Sequence, residues 1–87
     1  MLNYIRYIKT LLAEAEDRYD NTLFEIRELE ESYDTKNLLY DNAERQFNQE
    51  VSYLINNCID RQLPVRYIKI IFDNYENILN NYELEEV

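Results

Sequence analysis

The sequence has no glycine, no histidine and no tryptophan, and only one proline, one cysteine and one methionine in 87 residues. Tight β-hairpins depend on residues that accept positive φ, glycine above all, so an antiparallel sheet has little to turn with and the chain reads as helix nearly throughout. The same absence removes the Gly-rich phosphate loop, the dinucleotide fingerprint and the nucleophile elbow, which need backbone with no side chain in the way. Without histidine there is no imidazole general base, no Ser/His or Cys/His nucleophile pair and little to hold a transition metal. Carboxylates, lysine and tyrosine are what remain for chemistry, and neither a cofactor nor catalysis is expected.

The lone Cys58 cannot form an internal disulfide, which fits a reducing compartment, and its place in an apolar helical pattern reads as a small buried hydrophobe. No apolar run approaches the ~20 residues a transmembrane helix requires. Residues Met1 to Leu12 carry Arg6 and Lys9 within their apolar pattern instead of ahead of it, so no signal peptide is expected and the expected location is cytoplasmic, in a bacterium or a virus-infected host cell. The two basic residues there are too few for an anionic membrane surface, and a core helix explains the pattern equally well.

Hydrophobic residues make up 46% of the chain, with 9 Tyr and 3 Phe, too apolar a composition for a disordered polymer despite a net charge of −9. One domain of this size buries about 60–65% of the surface its unfolded form exposes, a modest fraction that association with a second copy would raise.

Stepping alternately three and four residues from Ile5 gives Ile8, Leu12, Ala15, Tyr19, Thr22, Ile26, Leu29 and Tyr33, with Thr22 the one polar member. Such an unbroken stripe marks a coiled-coil seam or the core face of a long helix. It stays in phase through Tyr40, Ala43 and Phe47, interrupted by Lys36, and then shifts to Val51, Leu54 and Cys58; the two successive four-residue steps resemble a stutter. Pro64 suits the first turn of a third helix, in which Val65, Ile68, Phe72, Tyr75, Leu79 and Tyr82 repeat the spacing.

Within Ser32-Tyr33-Asp34-Thr35-Lys36-Asn37, the residues Asp34, Thr35 and Asn37 are each able to cap a new helix. The heptad phase nevertheless runs straight across them. A bent hairpin is expected; the alternative is one helix of ~90 Å running to Gln62, which would have to dimerise to cover its seam. The expected fold is all-α: one domain over residues 1–87, a long coiled-coil-like hairpin of helices at about 3–33 and 36–62 with a third helix at about 64–83 packed on it. Leu23 and Phe24 sit beside and opposite the main stripe, and Leu2, Tyr4 and Leu11 widen it near the start, so the first helix is expected to touch more than one neighbour.

The charge is uneven. Glu14 to Asp34 holds nine acids against Arg18 and Arg27, a balance of −7. In the heptad frame these acids avoid the seam, whereas Arg6, Lys9, Arg61, Arg66 and Lys69 gather where a hairpin brings both helix ends together. The expected object is a rod, basic at one pole and acidic at the other, with the third helix delivering Glu76, Glu83, Glu85 and Glu86 towards the acidic end. Its field would steer a basic partner and repel the phosphates of nucleic acid.

The expected function is therefore non-catalytic binding of a protein partner with a basic surface, with homodimer formation. The candidate acidic contact face is Glu14, Asp17, Asp20, Glu28, Glu31 and Asp34; the candidate apolar contacts are Leu23, Phe24, Tyr4 and Tyr7, with Tyr53 and Tyr67 also possible interface tyrosines where exposed. The alternative is a nucleic-acid mimic of the kind phages use against host enzymes, its helical carboxylates standing in for phosphates. A weaker enzyme reading would set Mg²⁺ between Glu30, Glu31 and Asp34 and the pair Asp41 and Glu44.

Overall fold

The structure is a computed structural model that describes residues 1–85. Two long helices, α1 (Leu2–Glu28) and α2 (Tyr33–Asp60), form an antiparallel hairpin. A short helix α3 (Val65–Ile71), a 3₁₀ turn (Asp73–Tyr75) and a single-turn helix α4 (Glu76–Leu79) complete an all-helical chain, with no strand among the described residues. The molecule is a rod of 51 × 25 × 17 Å.

The seam is buried as its spacing requires. Ile8, Leu12, Ala15 and Ile26 of α1 and Ala43, Phe47, Val51, Leu54, Ile55 and Cys58 of α2 are the buried positions of the two long helices. Thr22 is exposed and donates its hydroxyl to the Arg18 carbonyl at 2.9 Å, so the one polar residue of the stripe is satisfied on its own helix. The seam fails at its end: Leu29 and Tyr33 are exposed, because α1 stops at Glu28 and Leu29 takes extended backbone at φ −70°, ψ 142°.

That stop settles the hairpin against the continuous helix, and it moves the break. The α2 cap is Ser32, not Asp34, Thr35 or Asn37. Ser32 Oγ accepts from the Thr35 backbone N–H at 3.2 Å and its hydroxyl donates to Thr35 Oγ1 at 2.9 Å, satisfying one of the N–H groups that a helix start leaves without a partner. Lys36, the charged interruption of the stripe, reaches back so that its ammonium donates to the Arg27 carbonyl at 3.0 Å. It thereby caps the C-terminus of α1, where a cation also opposes the negative end of the helix dipole.

At the far end of α2 the chain makes a turn that usually belongs to glycine. Gln62 is the one residue with a positive φ, 59°, among the described residues. Its N–H bonds the Ile59 carbonyl at 2.9 Å and the Leu63 N–H bonds the Cys58 carbonyl at 3.0 Å, the pair of bonds that defines a Schellman ending. Leu63 turns inward and is buried with Cys58 in the core, and Pro64 follows where no further helical N–H is needed.

The expectation of one continuous third helix is corrected. It ends at Ile71, and Phe72 and Tyr75 adopt φ −108°, ψ 29° and φ −126°, ψ 40° on either side of Asp73-Asn74. Asp and Asn are poor helix formers, yet Asp20-Asn21 and Asp41-Asn42 lie within the unbroken α1 and α2, so the break at Asp73-Asn74 belongs to the packing of this short segment, in which Phe72 and Leu79 are buried on either side of it. A straight helix would carry Tyr82 about 10 Å beyond Tyr75. Instead Tyr82 donates to the Ser52 carbonyl at 3.1 Å, more than a turn closer to the α2 C-terminus than Phe47, against which Tyr75 packs. The acids Glu76, Glu83 and Glu85 are therefore not delivered to the hairpin tip, and Glu86 lies outside the described residues.

The short segments make the core by plugging one side of the hairpin near its open end. Phe72 and Ile68 are almost fully enclosed with Ile8, Val51, Ile55 and Cys58. Three rings bound the cluster towards the tip: Tyr19 stacks on Phe47 at 4.8 Å, and Phe47 meets Tyr75 edge-on at 5.5 Å. Ile26 and Ala43 are buried outside this cluster, where α1 and α2 cover each other.

A left-handed residue with a Cβ costs roughly 1–2 kcal/mol, part of which glycine returns as unfolded-chain entropy. Gln62→Gly is therefore expected to raise the unfolding free energy by about 0.5–1 kcal/mol, read as a higher urea midpoint at unchanged slope. A lower midpoint would contradict this account of the turn.

Candidate interaction surfaces

The long straight run of α1 displays two different surfaces. Its outward face carries Asp17, Asp20 and Glu28, all exposed, around the exposed ring of Phe24, with the exposed Glu14 further along at the edge of this face, where it also lines a groove between α1 and α2. Asp20 and Glu28 lie four residues to either side of Phe24, hence one turn above and below it on the same face, and Asp17 lies two turns back. Phe24 is 58% exposed on the side of α1 opposite its buried residues Ile8, Leu12, Ala15 and Ile26. None of the candidate carboxylates forms an ion pair with another described residue.

Glu31 and Asp34 do not share this face. The helix stops at Glu28, so Glu31 falls in the connection and Asp34 on the first turn of α2, and the six-carboxylate face read from an unbroken heptad frame is reduced to four on one helix. Leu23 is half-buried beside the seam. Tyr4 is half-buried too, its ring covered by the Arg61 guanidinium at 4.7 Å and tilted against Tyr7 at 6.2 Å. Tyr7 and Tyr53 are exposed, whereas Tyr67 is half-buried under the Arg66 guanidinium at 5.0 Å.

The second surface was not legible beforehand. Asn48 and Ser52 face the C-terminal segments. Away from them, α1 and α2 enclose an open groove of about 330 Å³ with Leu11, Ala15 and Leu54 among its apolar walls and Tyr53 at its edge. Arg18 crosses it to Glu50 at 3.3 Å. With one partner 60% and the other 30% exposed, this pair is worth at most ~1 kcal/mol. No spacing rule joins residues 32 apart, although Leu11 and Tyr4, one heptad apart and off the seam, already widened the apolar arc on this side.

Among the described residues no polar or charged side chain is buried, and no group of three or more His, Cys, Asp or Glu side chains is placed to hold a metal ion. The carboxylates of the Mg²⁺ reading do not converge. No helix among the described residues is long and apolar enough to cross a membrane. Comparison with family models, with curated proteins and with solved structures finds no match to this chain.

Titration is perturbed in the core. Burial pushes the Cys58 thiol up to about 11, and it pushes up the Tyr75 hydroxyl, which also donates to Glu16 and faces the charges of Glu16 and Asp20. Tyr4 and Tyr19 are raised as well, by burial first and by nearby acidic groups second. In each case the folded value lies above the unfolded one, so the stability these groups contribute is complete below their unfolded values of 9.0 and 10.0 and is lost as pH rises through the folded ones. The melting temperature is expected to be insensitive to this set between neutral pH and about 9 and to fall above it, with Cys58 labelling by a thiol reagent only on unfolding. Rapid labelling of the native protein at neutral pH would contradict the burial of Cys58.

Proposed function

We propose that this chain is a non-catalytic protein-binding module whose contact surface is the outward face of α1 and whose partner presents a basic surface around an apolar pocket. The observation that carries the reading is Phe24. A phenylalanine 58% exposed on the outer face of a long helix adds little to folding, and between Asp20 and Glu28 it has the form of an aromatic anchor inside a charged rim. The charge of the segment around it supplies long-range attraction for a cationic partner and suppresses association with phosphate backbones. The absence of histidine and glycine from the sequence, and of buried polar side chains among the described residues, supports a binding role over a catalytic one. The reducing compartment suggested by the single thiol supports a cytoplasmic setting.

The nucleic-acid-mimic reading has one observation in its favour. Glu14, Asp17, Asp20 and Glu28 stand without ion-pair partners among the described residues along ~20 Å of straight helix, a line of fixed negative charges. Under that reading the target is the phosphate-binding cleft of a DNA- or RNA-binding protein, and the carboxylates matter more than the ring.

Both readings are tested on the partner recovered with the full chain from its native cell, by titration calorimetry with two variants. Phe24→Ala is expected to leave stability within about 0.5 kcal/mol and to weaken binding about tenfold or more, because an anchor worth over 1 kcal/mol is lost. The combined variant Glu14→Gln, Asp17→Asn, Asp20→Asn, Glu28→Gln is expected to reduce the association rate and its salt dependence. Abolished binding in the neutralised variant with Phe24→Ala unaffected would favour mimicry, and a partner indifferent to both would refute the proposed surface.

A further inference from the structure

The open end of the hairpin, where the start of α1 meets the end of α2 and the start of α3, differs in charge from the rest of the rod. Residues 1–9 and 58–69 hold Arg6, Lys9, Arg61, Arg66 and Lys69 against the single acid Asp60, a balance of +4, whereas the remainder of the chain sets four cations against seventeen acids, a balance of −13. No acid precedes Glu14 on α1, and none lies between Glu50 and Asp60 on α2. Asp60 apart, the carboxylates of these helices therefore begin about 18 Å from the end on α1 and about 15 Å from it on α2. On the C-terminal segments the first acid is Asp73, and Glu83 and Glu85 follow Tyr82, whose hydroxyl bonds the Ser52 carbonyl eight residues short of Asp60. We infer that this end is a docking surface for an anionic phospholipid bilayer, against which the rod stands end-on.

The side chains there have the form such a surface takes. Met1 and Leu2 are 67% and 61% exposed. Leu2, Arg6 and Lys9 follow one another at steps of four and three residues, so one side of α1 presents an exposed leucine and then two exposed cations. Side chains on a helix lean towards its N-terminus, which for α1 is the open end, and both cations therefore reach back towards it. Arg61 and Arg66, also exposed, are held over the rings of Tyr4 at 4.7 Å and Tyr67 at 5.0 Å. Stacking takes one face of each guanidinium and leaves its edge of N–H donors for phosphate oxygens.

Shape separates a bilayer from other polyanions. A planar surface meets a rod of 51 Å at its end alone and leaves most of the acidic remainder beyond the screening length of ~8 Å at physiological salt. A long nucleic acid would continue along the sides, where its phosphates meet like charge. Exposed aliphatic groups beside the cations suit the boundary between headgroups and acyl chains, and a phosphate backbone has no use for them. Two cations at the start of α1 are too few for this binding, but the fold brings three more beside them, and each cation near an anionic surface raises partitioning about fivefold. Phe24, 22 residues from Leu2, stands ~33 Å away in solution, so the inference does not rest on the partner assigned to that face.

The test is co-sedimentation of the full chain with large unilamellar vesicles. The wild type is expected to bind phosphatidylcholine vesicles containing about 30% phosphatidylglycerol, to ignore phosphatidylcholine alone, and to dissociate as salt rises. Arg6→Glu is expected to lower the partition coefficient about fivefold or more at unchanged helicity and melting temperature. Arg45→Glu makes the same change in net charge at an exposed site sixteen residues from Arg61 on the way to the tip, and is expected to leave binding within about twofold. Leu2→Asn, which alters no charge, is expected to weaken binding as well. An environment-sensitive fluorophore at Asn3→Cys, on a Cys58→Ala background, is expected to shift to the blue on binding, and one at Asn37→Cys near the tip to stay unchanged. Failure of the wild type to bind the anionic vesicles at low salt would overturn the inference. So would equal losses from Arg6→Glu and Arg45→Glu, or a shift at residue 37 in place of residue 3. Binding of a single-stranded oligonucleotide at a salt concentration that releases the vesicles would assign this end to nucleic acid instead.

Discussion

Two amphipathic helices of about 40 Å can bury their stripes against each other only if the chain reverses between them, and this sequence has no glycine with which to reverse. The reversal rests on side chains instead. Ser32 satisfies the start of α2 and Lys36 the end of α1, so the four residues between them leave the helical region without stranding the backbone groups on either side. Everything else follows from that bend: the antiparallel pairing, the aromatic cluster at Phe47, and the gathering of both helix ends where α3 can cover them. The second bend, at Gln62, needs a left-handed residue and uses one with a side chain. The strain there is offset by a Schellman pair of bonds and by the burial of Leu63.

The core is deep at one end and shallow at the other. Near the open end, Phe72 and Ile68 lie with Ile8, Val51, Ile55 and Cys58, and these are the largest fully buried side chains among the described residues. Towards the tip, Ile26 and Ala43 are shielded by the two helices alone. Local opening is therefore expected to cost least at the tip and most around Phe72, because opening energies follow the apolar surface each region buries. The acidic, Phe24-bearing part of α1 belongs to the shallow half. Its helix is held straight by fewer contacts, and a partner docking there would add stability where the fold supplies least.

The seam and the third apolar segment were legible in the spacing of Ile, Leu, Val and Tyr, because a packed helix must repeat every three or four residues whatever its partner, whereas the hairpin was legible only in the polar capping residues around Ser32 to Asn37, across which that spacing runs unbroken. The break points were not. Leu29 and Tyr33 keep the heptad phase yet lie in water, since phase records where a side chain would point if the helix continued and carries no information on whether it does. Lys36 looked like an interruption of the stripe and is a cap, which only a carbonyl nine residues earlier reveals. The third helix ended before Asp73-Asn74 against a strong apolar pattern, although the same pair is carried inside α1 at Asp20-Asn21 and inside α2 at Asp41-Asn42, so neither periodicity nor local propensity marked the break. The acidic face survived in part, losing Glu31 and Asp34 with the helix that was to carry them. The groove stayed hidden because its walls come from two helices whose relative rotation is set by packing.

The account depends most on the reversal at residues 29–32, and one distance measures it. Spin labels at Thr10→Cys and Asn56→Cys, on a Cys58→Ala background and diluted with unlabelled protein to remove distances between copies, report the separation of the two helices by pulsed dipolar spectroscopy. Side-by-side packing places the two labels within about 25 Å, given helix axes ~8–10 Å apart and the reach of the labels. A distribution centred near 70 Å, the rise of 46 residues of unbroken helix, would contradict the hairpin and everything built on it.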